Sequence, residues 1–138
     1  MLNDDDRRTF AGIADVLIPA FEGMPSASEA AVPDRYLDEA LGYRPDLENS
    51  LLAALAAARG LGVEDAVELL NTEHIPAFEA LGTLLAGAYF LNPEVRQLIG
   101  YPGQVPTPPK DDMDTYLDLL ENVLDRGQVY RNVPADDR

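Results

Sequence analysis

Apolar residues recur three and four positions apart along most of this chain, the spacing that lines one side of an α-helix. Phe10, Ile13, Ala14 and Leu17 predict a first helix over roughly Asp5 to Leu17. Asp4, Asp5 and Asp6 precede it, at the positive end of its dipole. Pro19 stops it, because proline lacks an N–H and disfavours helical geometry in the residue before it. Residues 20–31 predict a loop, with the capping-box pattern Ser26-x-x-Glu29 inside it. Pro33 suits the first position of a short helix carrying Tyr36, Leu37, Ala40 and Leu41, with Gly42 as its left-handed stop.

Pro45 opens the next helix, lined by Leu47, Leu51, Ala54, Leu55 and Ala58, whose alanines permit close packing. Gly60 and Gly62 bracket a tight connection into Val63, Ala66, Val67 and Leu70. Thr72 is placed to cap the following helix, with Pro76 in its first turn. From Ala77 to Leu91 only Glu79 is charged, which predicts a central helix surrounded by the others. Asn92-Pro93-Glu94 combines a cap, a first-position proline and a dipole-matched acid, and the helix it starts ends at Gly100. Four prolines between Tyr101 and Pro109 predict an ordered or extended loop. Met113, Tyr116, Leu117, Leu120 and Leu124 form one face of a last helix before Gly127. The tail, 128–138, has no pattern and reads as extended or flexible. No alternating apolar run bounded by hairpin turns occurs. The expectation is an all-α fold, a single compact domain over 1–138 with about six or seven helices and long proline-rich loops.

Composition narrows the function. Ten Lys and Arg against 25 Asp and Glu give 138 residues a net charge of −15. Phosphate backbones and anionic lipid surfaces repel such a chain, so neither nucleic acid nor membrane is an expected partner. The absence of cysteine excludes disulfides, iron–sulfur clusters, covalent haem attachment and thiolate zinc sites. The most apolar run, Ala80 to Leu91, is interrupted by Gly82, Thr83 and Gly87 and is too short to span a bilayer. Arg7-Arg8-Thr9-Phe10 looks like a twin-arginine export signal, but three aspartates precede it and an amphipathic helix follows. It is read as part of the first helix, and the chain is expected in the cytoplasm.

Few residues offer chemistry. His74 is the sole histidine, which excludes a multi-histidine metal site, and its place at a helix start suits a capping or surface role. Ser26, Ser28 and Ser50 lack the context of a nucleophile elbow. Asp111, Asp112 and Asp114 precede the last helix as a solvated, dipole-matched start, with no EF-hand loop around them. Gly60-Leu61-Gly62 lacks the strand and spacing of a dinucleotide cradle. No cofactor, metal or catalytic residue is therefore assigned to this chain.

What remains is contact surface. Tyr101, Pro102, Gly103, Gln104 and Val105 combine rigid amphipathic side chains with glycine freedom, a composition suited to an interface or to folding back over the chain's own core. Ile18, Pro19, Phe21 and Met24 put large apolar groups in a loop, where they tuck inward or form an apolar patch for a partner.

Asp15-x-x-Ile18-Pro19 with Ser26-Ala27-x-x-Ala30-x-Val32-Pro33, together with Gly100-Tyr101-Pro102-Gly103-Gln104, resembles the small subunit (subunit 3) of the gluconate 2-dehydrogenase family. The likeness covers roughly Phe10 to Leu41 and Pro93 to Gln104. It implies a helical, non-catalytic subunit docked on a large FAD-dependent dehydrogenase of the glucose–methanol–choline type, which oxidises a sugar or glycoside. In this hetero-oligomer the flavin belongs to the large chain, and the small one supports its maturation and stability. Two other classes stay open: a free-standing acidic helical adaptor binding a basic protein, and an enzyme acting alone with metal assistance.

Overall fold

The computed structural model describes residues 2–106, 113–127 and 129. Among them are seven α-helices and no β-strand, so the fold is all-α as the periodicity predicts. The chain divides into two compact units, Met1–Gly103 and Gln104–Arg138. Most of the 128–138 tail, and Asp111 and Asp112 with it, lie outside the described residues.

Helix α1 (Asp4–Leu17) opens on a capping box: the Asn3 side chain accepts the Asp6 N–H at 2.9 Å, and the Asp6 carboxylate accepts the Asn3 N–H. Its inner face, Phe10, Ile13 and Ala14, is fully buried. A single π-type turn, Val32–Tyr36, leads into α2 (Leu37–Tyr43), and a 3₁₀ turn at Pro45–Leu47 leads into α3 (Glu48–Ala58). Helix α4 (Val63–Glu73), α5 (Ile75–Leu91) and the short α6 (Pro93–Leu98) complete the first unit.

Helix α5 forms the centre of this unit, packed against α2, α3, α4 and α6, while α1 lies across α3 and α4. Leu51, Leu55, Leu70, Leu81 and Leu84 meet Phe10, Ile13 and Leu37 in one core. Burial of side chains this size stabilises by roughly 1.5–3 kcal/mol each. Helices α1 and α4 approach closely at Gly12, where an added Cβ would lie 3.1 Å from Val63 Cγ2.

Three local expectations need correction. Gly42 does not stop α2; the helix passes through it and ends at Tyr43, with Arg44 as its C-cap. Thr72 is not a cap but sits inside α4, its hydroxyl donating back to the Glu68 carbonyl at 2.8 Å, and His74 is the hinge between α4 and α5. Helix α5 is not enclosed on every side. Ala80, Leu81, Leu84, Leu85, Ala88 and Tyr89 are buried, but Ile75, Thr83, Ala86, Gly87 and Phe90 form an exposed stripe. Low charge marked the helix as apolar; only the neighbours that pack on it decide which sides are covered.

Two polar clamps brace α1. Asp6 is buried and receives the Arg59 guanidinium at 2.9 Å. Arg7 donates to the carbonyls of Pro33 and Asp34 and forms a two-pronged pair with Asp38 at 2.7 and 2.9 Å. Arg8 pairs with Asp5 on the open face of the helix. The arginine pair thus lies within α1, where the apolar spacing predicts a helix.

The second unit contains α7 (Met113–Arg126), closed by Gly127 at positive φ, whose N–H bonds to the Leu124 carbonyl. Among the described residues no helix is long and apolar enough to cross a membrane.

Candidate partner-binding surface

The loop after α1 is built by its own backbone. Pro19 ends the helix, and the chain reverses at Glu22-Gly23, both at positive φ. Phe21 and Met24 exchange two backbone hydrogen bonds of 3.1 and 2.9 Å across this two-residue turn, a minimal hairpin with the mirror-image geometry such turns require. Asn is the usual occupant of the first turn position; Glu22 carries the strain of a left-handed residue there.

Beyond the hairpin, the residues of the resemblance have structural work. The Asp15 carboxylate accepts the Ser28 N–H at 2.8 Å, and the Ile18 carbonyl accepts the Ala27 N–H at 3.1 Å. Ser26 and Glu29 form the expected capping box, with each backbone N–H bound to the other's side chain. Ala27, Ala30 and Val32 are fully buried, because this loop lies directly on the core and contributes to it. Two residues from the end of α5 tie it down. Tyr89 donates its hydroxyl to the Pro25 carbonyl at 2.7 Å, and Asn92 donates its amide to the Ala30 carbonyl at 3.0 Å. Burial, followed by the charge of Glu29, pushes the Tyr89 phenol above its ordinary value.

Asn92 also caps α6, its side-chain oxygen accepting the Glu94 N–H at 2.8 Å. That helix ends in a Schellman motif: the Gly100 N–H bonds to the Gln97 carbonyl, and the Tyr101 N–H to the Arg96 carbonyl at 2.8 Å. The motif requires positive φ at Gly100, which stands at +70°. An open cleft of about 410 Å³ lies beside it, lined by Pro93, Arg96, Gln97, Gly100, Tyr101 and Pro102. A second hollow, of about 330 Å³, lies between the 29–36 segment and Asn92-Pro93-Glu94. Pro93 borders both, so the start of α6 is the partition between them.

The candidate contact residues separate by position. Ile18 and Met24 tuck inward against the core, whereas Pro19 and Phe21 face solvent, Phe21 at 69% exposure. Tyr101 is half exposed and Pro102 exposed. Gln104 and Val105 are exposed too, but belong to the second unit. Sequence reading missed Leu98 and Ile99, exposed apolar residues at the end of α6, and Tyr43, which is 70% exposed beside an apolar groove formed by Ala40, Thr83, Leu84, Gly87 and Leu91. Gly87 was the available signal for that groove, since nothing fills the space where its Cβ would be.

The remaining candidates for chemistry stay apart. His74 is exposed between α4 and α5, and its side chain makes no cap. Ser26 and Ser28 serve the loop described above. Among the described residues no three His, Asp or Glu side chains are grouped to hold a metal ion. Arg44 and Asp46 form an exposed pair at 2.7 Å in which the shared hydrogen bond raises the guanidinium and lowers the carboxyl from their usual ranges. Comparison with protein-family models, with curated proteins and with solved structures finds no match for this chain.

Proposed function

We propose that this chain is a non-catalytic small subunit that binds and stabilises a large FAD-dependent dehydrogenase of the glucose–methanol–choline type, acting on a sugar or glycoside in the cytoplasm. The observation that carries this reading is the pair of rigid loops presenting aromatic and proline side chains to solvent. Phe21 stands on a hydrogen-bonded hairpin, and Tyr101-Pro102 follows a closed Schellman turn. Exposed aromatic groups on pre-ordered backbone lose less entropy on docking, so less of the gain from burying them is offset by ordering. The motif resemblance supplies the identity of the partner.

The action is mass action. A subunit that binds only the folded large chain stabilises it by about 2.7 kcal/mol when present at a hundred times Kd. The flavin, the substrate and every reacting group belong to the large chain. Co-expression tests this: the large subunit is expected to gain yield, flavin content and activity when this chain is present. Equal values without it would defeat the proposal. The net charge of −15 favours one further reading, a free-standing adaptor for a basic protein. The same experiment separates the two, since an adaptor leaves the flavoprotein unchanged.

A further inference from the structure

Helix α7 is amphipathic, and its apolar side is in water. Leu117, Leu120, Val123 and Leu124 share that side, with Leu119 at its edge, and each of the five is at least half exposed, Leu124 at 74%. A lone helix of 14 residues is marginal in water, so its stability depends on covering this face. Asp118, Glu121 and Asp125 run together along one flank, next to Leu117 and Leu124, while Asn122 and Arg126 take the other.

The geometry points to α7 as a docking helix that inserts Leu117, Leu120 and Leu124 into an apolar groove of the large partner, granting that the chain works in such a complex as proposed above. The rim of that groove carries Lys or Arg on the side facing Asp118, Glu121 and Asp125. Leucines three, four and seven positions apart are the spacing by which one helix face fills a groove. The one-sided acidic flank fixes which way round the helix lies and sets the charge of what it meets.

A second copy of this chain fits poorly. Both surfaces would be acidic, and two helices about 21 Å long bury far less than the ~1,200 Å² of a stable pair.

The test uses the full chain with the large flavin dehydrogenase subunit, comparing wild type with Leu120→Asp and with a triple reversal of Asp118, Glu121 and Asp125 to Lys. Amide hydrogen exchange reports α7 in the free chain and in the complex. The expected result is an α7 that exchanges freely alone and is protected in the complex. Leu120→Asp should weaken binding at least about tenfold, as loss of a central anchor does. The triple reversal should weaken it more at low salt than at high salt.

A complex that forms with unchanged affinity in Leu120→Asp overturns the docking helix and leaves the subunit assignment intact. Failure of the wild-type chain to bind overturns both. Protection of α7 in the free chain overturns it as well: independent of concentration, it assigns the cover to this chain's own body, and rising with concentration, to a second copy.

Discussion

Tyr89 shows how one atom can link stability to pH. Its hydroxyl donates to the Pro25 carbonyl in a setting that resists ionisation, so its folded pKa lies above the unfolded value of roughly 10. The folded state therefore holds this proton more tightly than the unfolded chain. The stabilisation is complete below about pH 10 and disappears as pH rises through the folded value. Tyr89→Phe should cost about 0.5–1.5 kcal/mol at neutral pH, the usual worth of one hydrogen bond. Urea unfolding from pH 7 to 11 checks the rest: the wild-type advantage should shrink above pH 10. An advantage that stays constant to pH 11 would contradict the assignment. Nothing around Tyr89 in the sequence announces this bond, because Pro25 is 64 positions away. The same holds for Asp6 with Arg59 and Arg7 with Asp38: local periodicity locates helices but does not say which charges meet across them.

At the level of elements, local signals fared better. The Asn92-Pro93-Glu94 start, the stop at Gly100 and the break at Gly127 are each set by neighbours within a few residues, and each is found where expected. Gly42 and Thr72 misled because the residue types that favour caps are also tolerated inside helices when the tertiary packing continues the element. The α6 cap is the element to test. Asn92→Ala removes both the bond to Glu94 N–H and the donor to the Ala30 carbonyl, leaving a buried acceptor unpaired. It should cost about 1.5–3 kcal/mol by thermal or urea unfolding. Asn92→Asp keeps the cap oxygen but turns a carboxylate toward a carbonyl, so it should be nearly as damaging. Full stability of the aspartate variant would show that the Ala30 bond contributes little.

For the whole molecule, charge is the dominant fact. With −15 spread over 138 residues, self-repulsion opposes the compact state. Salt reduces the Debye length from about 30 Å at 0.01 M to about 10 Å at 0.1 M, which weakens this long-range repulsion more than the close pairs. The melting temperature should therefore rise by about 2–5 °C between 0.01 M and 0.3 M NaCl, as followed by circular dichroism. A fall would mean that Arg7–Asp38 and Asp6–Arg59 outweigh the repulsion. The candidate surface was partly legible at this scale: proline, glycine and aromatic residues marked both loops. Which side chains turn outward was not, since Ile18 and Phe21 look alike in the sequence and part company only where the hairpin meets the core.

One asparagine has a consequence beyond stability. Because Asn92 holds the first turn of α6 with its oxygen and the Ala30 carbonyl with its nitrogen, one side chain is fastened to both walls of the hollow between the 29–36 segment and the start of α6. Removing that one side chain would therefore take away a hold on each wall at the same time.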